Sequence, residues 1–235
     1  MQRTRLEQLA LTDEMTGLPN RRAAESRLKE EIAHARRLNK TFVLGLVDLD
    51  HFKLINDRYG HSVGDEVLAH FARTFSKHLR ADDWVARWGG EEFLVCLHTD
   101  DIKQSEAVLE RLRDAIREQA FSTSAGMIHL TLSVGLCCFD LEKGTQDSAL
   151  ASLDSHLYEA KSRGRDRIVS GKQGLGLVQM ASLLKVAASE DRILVAYQPI
   201  LDLNSRKTVA DEALARLQTP EGDILPAGSF IEAAE

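Results

Sequence analysis

The sequence predicts an α+β domain in which one antiparallel sheet is covered by helices. Three observations point to it. First, strand-like and helix-like periodicities follow one another as β-α-β-β-α-β behind N-terminal helical segments, over residues 12–170. Second, the apolar runs "TFVLGLVDLD" (41–50) and "MIHLTLSVGLCCF" (127–139) read as buried strands. Third, "DWVARW" and "FLVCLH" flank Gly89-Gly90, which makes residues 83–98 a hairpin.

The elements follow in order. Residues 1–11 place Leu6 and Leu9 on one helical face, a connector helix. "TGLPNRR" (16–22) breaks it with Gly17 and Pro19, and a charged helix runs on to about Leu38. After the 41–50 strand, a helix at 62–79 puts Val67, Leu68, Phe71, Phe75 and Leu79 on one face. The hairpin is followed by a helix at 104–120, with Val108, Leu112 and Ile116 inward. The 127–139 strand, a helix at 147–163 and a short strand at 166–170 close the domain. The stretch 171–177 reads as a glycine-containing linker, and 178–235 as a second piece with one helix and two strands.

Composition bounds the function. Of 235 residues, 43% are hydrophobic and 28% charged, as in a globular protein. No apolar run is long enough to span a bilayer, and the N-terminus lacks the apolar core of a signal peptide, so no membrane contact is expected. A net charge of −6 argues against a nucleic-acid polymer as main ligand. Cys96, Cys137 and Cys138 lie in apolar runs without metal-ligand spacing, and are expected to be reduced core thiols of a cytoplasmic chain.

Four constellations carry chemistry. Asp48 and Asp50 end a buried strand on one side of the extended chain, an arrangement that either holds a hard cation through oxygen or caps the next helix. Gly89 and Gly90 permit positive φ and close approach of backbone to a ligand. Glu91 and Glu92 alternate, so only one of them faces a given site; Glu91 is assigned to it and Glu92 to the other face. Lys161 and Arg165, one turn apart at the end of a helix, either complement the helix dipole or, with Lys53, hold a phosphate tail. Asn56 and Asp65 suit a guanine edge, with capping of a helix starting near Gly64 as the ordinary alternative for Asp65.

"DEMTGLPNRR" (13–22), "VDLDHFKLINDRYGHSVGDEVL" (47–68), "RWGGEEF" (87–93), "TLSVG" (131–135) and "YEAKSRGRDRI" (158–168) together resemble the GGDEF family of diguanylate cyclases. The resemblance implies a palm-like domain related to nucleotide cyclases, and condensation of two GTP into cyclic di-GMP and two pyrophosphates across a homodimer. It implies Mg²⁺ or Mn²⁺ on Asp48, Glu91 and the Leu49 carbonyl, with Glu91 and Lys53 catalytic. Substrate contacts implied in the same way are Phe52, Lys53, Asn56, His61, Asp65, Gly89, Gly90, Lys161 and Arg165. "RADD" (80–83) resembles the family's product-inhibition motif, with Arg80 and Asp83 on cyclic di-GMP and Arg111 completing the pocket. Against the family pattern, His156 replaces a small residue and Asp166 a common asparagine.

"VAYQPILDL", "DEALARL" and "ILPAGSFIEAAE" in 195–235 resemble the start of an EAL phosphodiesterase domain, with Glu212 as its first metal carboxylate. About 60 residues cannot close a (β/α)₈ barrel, so no phosphodiesterase activity is expected. The tandem likeness keeps an alternative open: a module that binds GTP or cyclic di-GMP without turnover and regulates an attached phosphodiesterase.

Overall fold

A computed structural model describes residues 11–172, 177–202, 207–218, 224–227 and 230–231. The connector helix, apart from its last residue, and most of the linker lie outside these residues. The chain divides into two compact units, Met1–Gly174 and Leu175–Glu235.

The first unit runs α1 (Arg21–Leu38), β1 (Val43–Leu49), α2 (Phe52–Tyr59), α3 (His61–His78), β2 (Trp84–Gly89), β3 (Glu92–Leu97) and α4 (Ile102–Glu118). Then come β4 (Phe121–Thr123), β5 (Gly126–Ile128), β6 (Leu132–Cys138), α5 (Gln146–Ser162) and β7 (Arg167–Lys172). Five strands form one sheet in the order β2-β3-β1-β6-β7. It is antiparallel except for β6–β7, which are parallel because α5 crosses over between them. β7 extends to Lys172, so the start of the expected linker belongs to the sheet.

The central strand β1 is buried at all seven positions, since helices cover both faces. One face packs Val47, Leu49, Phe93, Val95 and Val134 against Phe71 and Phe75 of α3 and Leu109 and Leu112 of α4. The other packs Leu44, Leu46, Leu94 and Cys137 against Leu28 of α1 and Leu153 and Leu157 of α5. Asn20 caps α1 by accepting from the Ala23 N–H, and Thr145 and Ser148 form a capping box on α5.

Gly135 makes the closest helix–sheet contact possible: a Cβ there would strike the Leu153 carbonyl and lie 2.5 Å from the Leu157 nitrogen. His156, on the same helix, sits with its ring against Gly171 of β7, and burial keeps its imidazole biased toward the neutral form. Cys96 and Cys137 are buried free thiols, and burial pushes Cys137 up to about 12; Cys138 is only half-buried.

Two elements depart from the sequence reading. The stretch after Asp50 forms an extra helix, α2, closed by Gly60 at φ 85°. The expected long strand 127–139 is split: residues 121–128 form a separate β4–β5 hairpin, and β6 begins at Leu132.

In the second unit, α6 (Leu177–Ser189) precedes an antiparallel sheet of β8 (Ile193–Leu201), β9 (Thr208–Gln218) and β10 (Ile224–Pro226). Leu184, Ala187, Leu217 and Phe230 form its small core. Glu212 stands opposite Gln198 on the exposed part of β9. No helix among the described residues is long and apolar enough to cross a membrane.

Candidate active site

The site is built at one end of the central strand. Asp48, only 5% exposed, is carried there by β1, opposite Glu92 on β3 and Ser133 on β6. Residues directly opposite in a ladder share a face, so Asp48 and Glu92 lie on the α1/α5 side of the sheet. This corrects the assignment of Glu92 to the other face. The reason is the register: β3 pairs with β1 without a shift, Leu46 facing Leu94 and Asp48 facing Glu92, so alternation along β3 puts Glu92 on the Asp48 face, while Glu91 falls in the turn before the strand. The Glu91 carbonyl accepts from the Leu49 N–H at 3.3 Å, which ties the turn to the end of β1.

Asp48 is held up at about 6, first by burial and then by the neighbouring charges of Glu91 and Glu92, while Lys161 pulls it down. The Lys161 ammonium lies 2.7 Å from the Asp48 carboxylate. Thus the end of one buried strand gathers three carboxylates and one cation. Asp50 is used differently. Its oxygens accept from the Thr131 and Ser133 hydroxyls, both at 2.7 Å, and from the Asp166 N–H at 3.0 Å. Three donors satisfy it as a buried structural carboxylate, and the two aspartates of the motif divide into a site residue and a scaffold residue.

Neither Gly89 nor Gly90 adopts the positive φ that glycine permits. Their contribution is space: nothing lies within 4 Å of a Cβ at Gly90, and only the Glu92 carboxylate, at 3.4 Å, approaches one at Gly89. Sequence reasoning assigned no role to the clamp on this turn. Arg87 donates twice to the Gly90 carbonyl, at 3.1 and 2.8 Å, and pairs with Asp13 at 3.0 Å. Burial tends to raise Asp13, but hydrogen bonds from Thr16 and the charge of Arg87 outweigh it and hold the carboxylate below its ordinary value. Both residues lie in motifs quoted above; what the sequence hides is that the two motifs touch.

The α2–α3 pair forms the second wall. α3 starts at His61, so Asp65 lies a turn inside it and caps nothing. Asp65 is exposed and has no hydrogen-bond or ion-pair partner among the described residues. Gly64 lies directly beneath the Asn56 side chain: a Cβ there would collide with the Asn56 amide oxygen. Phe52 is buried and anchors the first turn of α2, while Lys53 and His61 are exposed. Arg165 is not on α5, which ends at Ser162, but follows it with φ 62°. A cleft of about 630 Å³ lies beyond α2, with Asp50, His51, Arg58 and Arg117 in its wall; it does not include Asp48, Asn56 or Asp65.

Away from this cleft, Asp83 accepts from the Arg80 N–H at 3.2 Å and from the His98 N–H at 2.9 Å. The Arg80 and Arg111 side chains are both exposed.

Among the described residues, no three His, Cys, Asp or Glu side chains converge as a self-contained metal site. The donor set still fits a divalent cation shared with a nucleotide, because Mg²⁺ is usually bound by one or two carboxylates plus phosphate oxygens and water. Asp48 and Glu91 could supply the carboxylates, and the negative charge gathered around Asp48 would favour a cation there.

A five-stranded sheet with helices on both faces, carrying carboxylates and a lysine at the end of its central strand, defines a palm-like, nucleotide-cyclase-type domain. The chain belongs to the GGDEF family: residues 10–167 match the model of the diguanylate cyclase GGDEF domain, and residues 182–235 match the EAL domain. The chain is 42% identical over 161 residues to the diguanylate cyclase DgcP of Pseudomonas aeruginosa, covering 68% of this chain and 24% of that protein. It is 29% identical over 233 residues to the bifunctional diguanylate cyclase/cyclic di-GMP phosphodiesterase MucR of the same organism, covering 97% of this chain and 34% of that protein. Among solved structures, the diguanylate cyclase SiaD of Pseudomonas aeruginosa, in complex with its activator SiaC, is similar with a TM-score of 0.67 and 37% identity, over 72% of this chain and 65% of that one. The chain spans about a quarter of the length of DgcP and a third of that of MucR.

Proposed function

We propose that the first unit is a diguanylate cyclase, which joins two GTP into cyclic di-GMP with release of two pyrophosphates, each protomer of a homodimer presenting one GTP to the other. The observation that carries this reading is the buried Asp48 carboxylate flanked by Glu91, Glu92 and Lys161. The family match and the similarity to named diguanylate cyclases support it.

Asn56 and Asp65 read the guanine edge, the amide offering donor and acceptor and the carboxylate accepting from two ring N–H groups. Lys53, Lys161 and Arg165 bind phosphate oxygens, and Lys53, exposed on the first turn of α2, offsets charge that develops at the reacting phosphate. Gly89 and Gly90 leave the turn bare so that nucleotide lies against backbone. His61 and Phe52 complete the guanine wall. Asp48, Glu91 and the Leu49 carbonyl would hold Mg²⁺ or Mn²⁺, which when bound would lower the pKa of the attacking 3′-hydroxyl and polarise the phosphate. Glu91 orients that hydroxyl and takes its proton. Arg80, Asp83 and Arg111 form a product site that slows the enzyme as cyclic di-GMP accumulates.

The test is incubation of the purified chain with GTP and Mg²⁺ at a concentration that permits dimers, after stripping bound nucleotide, followed by separation of the products. Cyclic di-GMP is expected. GTP binding without turnover would instead support a regulatory module, which the EAL match at 182–235 makes the second reading.

Gly64→Ala tests the guanine wall. The new methyl displaces the Asn56 amide, so KM for GTP is expected to rise about tenfold, the cost of one lost hydrogen bond to a buried or charged partner, with kcat little changed. An unchanged KM would remove Asn56 from the wall.

A further inference from the structure

We propose that Arg113 and Arg117 of α4, acting through Asp166, are positioning residues for the phosphate end of the site; this rests on the cyclase reading above. Arg165 and Asp166 are consecutive non-glycine residues in the left-handed region, at φ 62° and 45°. Such backbone persists only where its surroundings over-determine it. Here they do. The Arg165 N–H donates to the Ala160 carbonyl at 3.1 Å, and the Arg167 side chain donates to the Arg165 carbonyl at 3.0 Å. The Asp166 carbonyl accepts from Arg113 at 2.7 Å, and the Asp166 N–H donates to Asp50 at 3.0 Å.

The side chain of Asp166 is held between two guanidiniums. Its Oδ1 lies 3.8 Å from Arg113 Nε, and its Oδ2 lies 3.6 Å from Arg117 Nη1. Arg113 Nε and Asp166 Oδ1 are both out of solvent and neither makes a hydrogen bond, so their opposite charges compensate one another directly. Glu110, at 2.8 Å, and Asp114, at 3.3 Å, keep Arg113 in place. A continuous chain of contacts therefore runs from α4 through Asp166 to Asp50. Asp50 lies two residues from Asp48 and is fixed to Thr131 and Ser133. The same turn sets where Arg165 stands. Partners that orient metal ligands typically change affinity or activity about 10–100-fold when removed, and the lower end of that range is taken for this positioning layer.

Without Arg113, the Asp166 carboxylate loses its main counter-ion, with the Asp50 carboxylate close by. The turn relaxes, and Arg165 loses its fixed position. Changing Asp166 to asparagine as well removes the stranded charge and keeps the backbone N–H that holds Asp50.

The experiment uses the full chain and reads KM for GTP against the inhibition constant of GMP, which carries the guanine but no β- or γ-phosphate. Arg113→Ala is expected to raise KM for GTP about tenfold and leave GMP inhibition within about twofold. Adding Asp166→Asn is expected to bring KM back to within about threefold of wild type. Arg117→Ala, at a more exposed position, is expected to shift KM in the same direction by about threefold and reads the same split if Arg113→Ala does not fold. Equal loss of GTP and GMP, an unchanged KM, or no rescue by Asp166→Asn would each overturn the proposal. Absence of cyclic di-GMP from the wild type would instead overturn the cyclase reading itself.

Discussion

Replacing Glu91 with glutamine is expected to lower cyclic di-GMP formation by about 10²–10⁴-fold, the loss that follows removal of a positioned proton acceptor. The substitution is nearly isosteric. Glu91 is half-exposed in the β2–β3 turn, and the contact that ties it to β1 is made by its carbonyl, not its side chain. The fold is therefore expected to be unchanged and its thermal unfolding not to move downward, so the lost activity reads the carboxylate alone. Loss of the Glu91 charge also relieves one of the repulsions that raise Asp48, whose carboxyl is then expected to ionise more readily. Product chromatography and calorimetry on the same sample decide the matter. A variant that retains more than about a tenth of the rate would remove Glu91 from the reaction.

The second large effect concerns stability. Gly135→Ala places a methyl against the Leu153 carbonyl and 2.5 Å from the Leu157 nitrogen. Both atoms are backbone of α5, so no side chain can rotate away, and the helix itself must lift from β6. Overpacking of this kind costs about 1–3 kcal/mol, and a rigid backbone neighbour places this site at the upper end. α5 also delivers Lys161 to Asp48. Denaturant unfolding is expected to show a loss of about 3 kcal/mol, accompanied by reduced turnover in the folded fraction. A midpoint equal to that of wild type would mean that α5 packs on the sheet less closely than this geometry requires.

How much of this was legible in the sequence varies with the physical range of the signal. The buried strands β1 and β6 and the helices α3, α4 and α5 follow from apolar periodicity, which each segment carries within itself. α2 was missed because eight residues bounded by His51 and Gly60 are too few to establish a period. β4 goes unread and the end of β5 is absorbed into the 127–139 strand because each is only three residues long. In the site, Asp48, Glu91, Asn56, Asp65 and Lys161 were chosen by residue type and motif. The structure brings Asp48, Glu91 and Lys161 together, and Asn56 and Asp65 onto neighbouring helices that meet at Gly64.

The sequence by itself determined the family, the layered α+β order and the residue types at the site, because these depend on local periodicity and on motifs read along one chain. Only the tertiary structure decided which of two adjacent carboxylates faces what. Glu92 joins Asp48 because the register of β3 on β1 sets the two opposite one another, and Asp50 turns to scaffold because Thr131, Ser133 and Asp166 converge on it from positions more than 80 residues away. The same holds for Arg87 with Asp13 and for Arg113 with Asp166, pairs 74 and 53 residues apart. Charge compensation and hydrogen bonding act through space, and pairings at that separation exist only once the sheet and its helices have brought the segments together.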